Sequence, residues 1–164
     1  MDTFDLFENF ITPAEQAEII AWAQSVKEDC IDRQNLHGGG QGRRMSESVN
    51  RFRPLPDLIN ELEHRMETTL GLSDANRLKY KVVIHEQGAD TASHVDDYSG
   101  QYPNFFRAAV LIQDAAQGGI FRVNNVPVNF PELSLLSFVG ASSHGVTTVA
   151  QGERILLRAN WFRD

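Results

Sequence analysis

Apolar positions recur at helical spacing in the first half of the chain and alternate in the second, which predicts helices first and strands afterwards. Thr12-Pro13-Ala14-Glu15 is a capping box with proline at the first helical position. It starts a helix to about Lys27, with Ile19, Ile20, Ala23 and Val26 on one face. A second helix spans about Pro56 to Leu70, with Leu55, Leu58, Ile59, Leu62, Met66 and Leu70 at helical spacing and Gly71 as its stop. Between them, about Asp29 to Glu47 is predicted as a loop containing Gly38-Gly39-Gly40-Gln41-Gly42-Arg43-Arg44. Long glycine-rich loops often serve as binding lids, so this one is expected to close over a site. After Arg77, strands are predicted at about 78–86, 105–113, 119–123, 126–130, 134–139, 143–149 and 153–162. The order predicts an α+β domain, mainly β in its core, with both helices covering one side of a sheet sandwich.

Alternation separates the faces of the three longest strands. One face carries Leu78, Tyr80, Val82 and Ile84 in the first, Phe106, Ala108, Val110 and Ile112 in the second, and Ile155, Leu157, Ala159 and Trp161 in the third. The opposite faces carry Lys81 and His85, then Arg107 and Gln113, then Arg154, Arg158 and Asn160. If the apolar faces meet the helices, the polar ones line the sandwich interior. An interior lined that way contains a site.

Composition narrows the class without naming it. At 164 residues the chain is one domain with room for a single sizeable core. A net charge of -7 argues against a general nucleic-acid binder, whose affinity rests on neutralising phosphates. The single cysteine, Cys30, excludes an internal disulfide and fits a reducing cytoplasm. The first residues have neither a basic nor an apolar signal region, and no apolar run is long enough to span a membrane, so a cytoplasmic protein is expected.

The chemistry is concentrated in two stretches. His94-Val95-Asp96 is followed fifty residues later by His144-Gly145-Val146, and then by Gly152-Glu153-Arg154-Ile155-Leu156-Leu157. Two imidazoles and a carboxylate are the ligand set of a non-haem Fe(II) facial triad, which leaves the other face of the metal open. His-x-Asp by itself is common; the combined string is specific.

On these residues the chain resembles the 2-oxoglutarate- and Fe(II)-dependent dioxygenases, nearest to their prolyl-hydroxylase-like branch. Phe7-Glu8-Asn9-Phe10-Ile11-Thr12-Pro13-Ala14-Glu15, the helix around Pro54 to Leu72, and the aromatic end Trp161-Phe162 carry the likeness across almost the whole chain. The resemblance implies a double-stranded β-helix (jelly-roll, cupin-like) catalytic core over 77–164, with 1–76 as helical support and lid. It implies that His94, Asp96 and His144 hold Fe(II), that Arg154 binds the distal carboxylate of 2-oxoglutarate, and that dioxygen is the oxidant. His85 stands where many relatives have tyrosine, and with Arg158 it is a candidate for a second co-substrate contact. Succinate and carbon dioxide would be the co-products of hydroxylating an unactivated carbon.

Departures from the family sharpen the expectation. Relatives that repair nucleobases show Asn-x-Tyr where this chain has Val83 and His85, so no nucleic-acid partner is expected. Halogenating relatives lack the carboxylate ligand, and Asp96 is present. A metal cupin of another reaction type would show His-x-His with a following glutamate, absent here; a binding domain that kept only the fold would have no need of the ligands. Inward-facing Lys81, Arg107, Arg154 and Arg158 point to a small anionic substrate such as an amino acid, with a peptidyl substrate as the alternative. Arg107, Tyr98, Tyr102, Arg43 and Arg44 are the candidate substrate contacts. The pattern carries no reading of oligomeric state.

Overall fold

The computed structural model describes residues 4–29, 31–36, 40–44, 56–96, 104–139 and 142–163. In chain order they form β1 (Phe4–Phe7), α1 (Pro13–Val26), a 3-10 turn (Lys27–Asp29), β2 (Ile31–Leu36), β3 (Gly40–Arg44), α2 (Asp57–Leu70), β4 (Asn76–His85), β5 (Thr91–His94) and β6 (Asn104–Gln113). There follow β7 (Gln117–Gly118), β8 (Phe121–Val123), β9 (Val126–Pro127), β10 (Leu135–Val139), β11 (His144–Val146), β12 (Val149–Gln151) and β13 (Arg154–Arg163).

Local chemistry sets the helix ends as the sequence predicts. The Thr12 hydroxyl accepts from the Glu15 amide at 3.2 Å, and the Glu15 carboxylate accepts from the Thr12 amide at 2.9 Å. Glu15 also pairs with Arg65 of α2 at 2.8 Å, and Arg65 donates to the Phe10 carbonyl at 3.0 Å. The cap of one helix is thereby fastened to the side of the other. Gly71 ends α2 in the left-handed region at φ 65°, while the Leu72 amide reaches back to the Glu67 carbonyl at 2.8 Å.

Seven strands form the main sheet in the order β1-β10-β6-β13-β4-β3-β2, and four form a second sheet in the order β5-β11-β8-β9. β7 and β12 make a separate two-stranded ribbon. The long strand β13 runs antiparallel to β4 on one side and β6 on the other, which accounts for the continuous alternation in all three. Val82 and Ile84, Ala108 and Val110, and Leu157 and Trp161 form one apolar cluster with Ile19, Leu58, Ile59, Leu62 and Met66 of the two helices. Trp161 is wholly buried there, and its indole N–H donates to the Glu67 carboxylate at 3.1 Å.

Three features depart from the pattern reading. The stretch expected as a long loop holds two strands: β2 and β3 pair with each other, and β3 continues the main sheet beyond β4. Its polar, glycine-rich composition hid this, because such a strand is specified by the open backbone edge of β4 rather than by its own side chains. β1 and β5, four residues each, carry too few positions for alternation to register. The opposite faces of the central strands are also mixed rather than polar. Val83, Ala109, Leu111, Leu136 and Leu156 pack with Phe121, Val123, Phe138 and Val146 in a second apolar cluster. Leu55, Tyr98 and Tyr102 lie outside the described residues.

Replacing Trp161 by alanine removes the largest buried side chain of the helix-facing core and orphans the Glu67 contact. The expected loss is about 3–5 kcal/mol of unfolding free energy, measured by denaturant titration against wild type.

Candidate active site

The two histidines meet because their strands are neighbours. His144 opens β11 and is the register partner of His94 at the end of β5, which sets the ring centroids 4.5 Å apart. Close approach of these strands depends on Gly145, where an added Cβ would lie 2.7 Å from the Thr91 carbonyl oxygen and 2.9 Å from the Ser93 nitrogen. Asp96 follows β5 by two residues and turns back between the rings. Its Oδ1 is 3.6 Å from His94 Nε2, and its Oδ2 is 3.6 Å from His144 Nε2. These three are the metal-capable group found among the described residues, with one ligand atom from each lying within 4.8 Å of the others.

The hydrogen bonds behind the rings decide which atoms can bind a metal. His94 Nδ1 is 2.9 Å from the Ala92 carbonyl, and His144 Nδ1 is 2.9 Å from the Ser142 carbonyl. A carbonyl accepts only, so each Nδ1 carries the proton and each Nε2 presents its lone pair to the site. Both carbonyls are two residues back, so the strand ends themselves set the tautomer.

Protonation states agree with a ligand role. Burial opposes ionising Asp96, but the permanent charges of Arg107 and Arg158 outweigh it and hold the carboxyl well below its usual range. Burial, then the Arg107 charge, push the His144 imidazolium down to about 3 against the opposing pull of Asp96. At neutral pH Asp96 is therefore a carboxylate and His144 a neutral imidazole, the forms a metal requires. This donor set fits Fe(II).

Arg107 of β6 reaches across from the main sheet. Its Nη2 is 2.8 Å from Asp96 Oδ2, its Nη1 donates to His144 Nε2 at 3.0 Å, and its Nε donates to Asn160 Oδ1 at 3.1 Å. Asn160 is its register partner on β13 and is 1% exposed. The sequence places Asn160 on the inward face but assigns it no role; only the pairing register reveals that it braces Arg107. Phe138 and Phe121 close the other side of His144, with centroids 4.9 and 6.4 Å away.

Arg154, the first residue of β13, is 1% exposed. Its neighbour Glu153 is gripped by Lys27 and by Gln24, and the Glu153 carbonyl accepts from Gln113 Nε2 at 2.9 Å. The end of α1 thus fixes where β13 begins. Gly119, at φ +64°, leaves room for the arginine stem, since a Cβ there would lie 3.2 Å from Arg154 Cδ. Among the described residues Nε and Nη1 have no hydrogen-bond acceptor, and the nearest anion, Asp114, is 3.9 Å away and half exposed. Burial lowers the guanidinium to about 10, so it stays charged at neutral pH. A charged, buried fork facing a cavity of about 130 Å³ that Phe121 also lines suits a carboxylate ligand.

The remaining expected residues fall at differing distances from this chemistry. His85 is buried opposite Arg154 in register, and its Nε2 is 3.0 Å from the Thr91 hydroxyl at the start of β5. Arg158 is partly buried on β13, and its charge acts on Asp96. Lys81 is its register partner. Arg43 and Arg44 lie on β3 opposite Ile84 and Val83.

No family model and no curated protein sequence matches this chain; its likeness is to solved structures. A viral collagen prolyl hydroxylase from Paramecium bursaria Chlorella virus-1, solved with 2-oxoglutarate, superposes with a TM-score of 0.73 at 14% identity, covering 98% of this chain and 95% of that one. A prolyl-4-hydroxylase from Pseudomonas putida gives 0.70 at 17% identity, covering 98% and 92%. The non-haem α-ketoglutarate-dependent epimerase SnoN of nogalamycin biosynthesis gives 0.78 at 14% identity, covering 98% and 78%. The fold is therefore one shared with these three proteins, a β-sandwich with two helices. No helix of the described residues is long and apolar enough to cross a membrane.

Metal-free stability should fall on acidification. The unfolded chain protonates His144 near pH 6.5, whereas the folded one resists to about 3, so stability declines as pH drops through that window. The slope is at most about 1.4 kcal/mol per pH unit. His144→Gln should flatten it between pH 6 and pH 4 in denaturation curves; an unchanged slope would contradict the buried neutral imidazole.

Gly145→Val should force β5 and β11 apart and separate the two histidines. The expected result is loss of most of the thermal stabilisation that Mn(II) gives wild type, read by melting with and without the metal.

Proposed function

We propose that this chain is an Fe(II)- and 2-oxoglutarate-dependent oxygenase that hydroxylates an unactivated C–H bond of a small, carboxylate-bearing, amino-acid-like substrate. The observation that carries the reading is the pairing of two features inside one sandwich. One is a triad whose Nε2 atoms are aimed inward by their own backbone. The other is a wholly buried arginine whose Nε and Nη1 meet no acceptor among the described residues. His94, Asp96 and His144 would hold the iron, and Arg154 would hold the distal carboxylate of 2-oxoglutarate as a two-pronged fork. Bound iron and 2-oxoglutarate supply the oxidising power that places one atom of dioxygen on the substrate carbon, with succinate and carbon dioxide released.

The protein's own part is positioning and exclusion of water. Phe121 and Phe138 wall the His144 side with apolar surface, and the second apolar cluster continues that wall through Leu111 and Leu156. His85, opposite Arg154, is the candidate for a second co-substrate contact. Arg158, partly buried on β13 and close enough for its charge to act on Asp96, is the candidate cation for a substrate carboxylate. The strand arrangement is read as a double-stranded β-helix over 77–164, with 1–76 as its helical support. The single cysteine fits a reducing, cytoplasmic setting. Likeness to two prolyl hydroxylases favours a second reading in which the substrate is a peptidyl side chain.

Two outcomes are expected. Wild type should form succinate from 2-oxoglutarate only with Fe(II), and His94→Ala should form none while keeping its fold by circular dichroism. Arg154→Ala should weaken 2-oxoglutarate binding by roughly a hundredfold or more in anaerobic calorimetry, because the co-substrate carboxylate loses its buried partner. Equal affinity in the variant would move the anchor elsewhere.

The charge of the substrate is tested with matched acids and amides. Preference for the acids in wild type, lost in Arg158→Ala, is expected; equal binding of acid and amide by wild type would favour the peptidyl reading.

A further inference from the structure

The Arg107 guanidinium occupies the side of the triad that a metal needs. His144 has one lone pair available, on Nε2, because its Nδ1–H is spent on the Ser142 carbonyl. That lone pair accepts from Arg107 Nη1 at 3.0 Å. A single lone pair cannot serve both an N–H donor and a metal ion. The same guanidinium puts Nη2 against Asp96 Oδ2 at 2.8 Å, while Oδ1 faces His94. Nε is held by Asn160, and the guanidinium carbon lies 5.8 Å from the Phe105 ring centroid. Arg107 and Asp96 are each 4% exposed, so this contact is built into the interior.

We infer that Arg107 is a place-holder for the metal: it bridges Asp96 and His144 in the metal-free protein and releases His144 when a divalent cation binds. This rests on the triad reading above and adds a role for a residue outside the ligand set. Its physical basis is charge. A carboxylate buried between two imidazole rings is costly without a nearby cation, and the guanidinium supplies one until the metal does. The bridge keeps the three ligand side chains assembled for loading. On loading, the Nη1–His144 bond breaks, while the Nη2–Asp96 Oδ2 pair persists and leaves Oδ1 for the metal. Arg107 is thus a positioning residue whose effect on metal affinity is unfavourable, the opposite of what a supporting hydrogen bond to a ligand would give.

The test is Mn(II) binding to metal-free protein by calorimetry, without 2-oxoglutarate, in wild type, Arg107→Gln and Arg107→Met. Losing a charged competitor for His144 should tighten Mn(II) binding by about tenfold. The metal-free variants should melt below wild type, and saturating Mn(II) should close most of that gap. Equal or weaker Mn(II) affinity in both variants would overturn the place-holder role while leaving the triad standing; absence of Mn(II) binding by wild type would overturn both. A crystal structure of wild type with Mn(II) decides the matter even if neither variant folds. Arg107 Nη1 parted from His144 Nε2 supports the inference, and the two still within hydrogen-bond distance overturns it.

Discussion

Asp96 is a carboxylate almost sealed inside a β-sandwich, and the surrounding structure is organised around neutralising it. A buried anion without a partner costs several kcal/mol, so the fold must bring a cation to it. That cation comes from the opposite sheet: Arg107 crosses from β6 to reach a residue just beyond β5. The ion pair therefore fastens the main sheet to the four-stranded one at the same point where the two histidines converge. Asn160, opposite Arg107 in the register of β6 on β13, accepts from the same guanidinium and braces it.

The central strands serve two environments at once. One face of β4, β6 and β13 joins α1 and α2 in a dry core, and the other carries both the second apolar cluster and the charged side chains. Mixing the two on one face has a clear consequence. Phe121, Phe138 and Leu111 lower the local dielectric around Asp96, His144 and Arg154, which strengthens each charge interaction and makes an unmatched donor expensive. Arg154 differs from Arg107 in this respect, since among the described residues its nearest carboxylate, Asp114, is 3.9 Å away. Two buried arginines thus have different tasks, one balancing the protein's own charge and the other facing a cavity.

The solved relatives include prolyl hydroxylases and an epimerase on the same architecture, so the fold alone does not choose a substrate. In this chain the inward cations are distributed around the triad. Arg107 is engaged by Asp96, and Arg158 is a second cation whose charge reaches that carboxylate.

Much of this was determined by the sequence itself. Both helices announce themselves through capping chemistry and apolar spacing, because those signals act within a turn or two of the chain. The long strands are legible because alternation over ten residues can be satisfied only by a two-faced sheet. His94, Asp96 and His144 stand out because few other chemistries use that residue set. Tertiary structure decided the rest. β3 is a strand because β4 presents an open edge, and β2 because β3 in turn presents one; their own polar, glycine-rich residues carry no such instruction. Likewise, alternation could place Arg107 on the inward face but could not show that it meets Asp96, His144 and Asn160 rather than a ligand. Those contacts join positions far apart in the chain, and only the pairing of strands and the packing of two sheets brings them within hydrogen-bond reach.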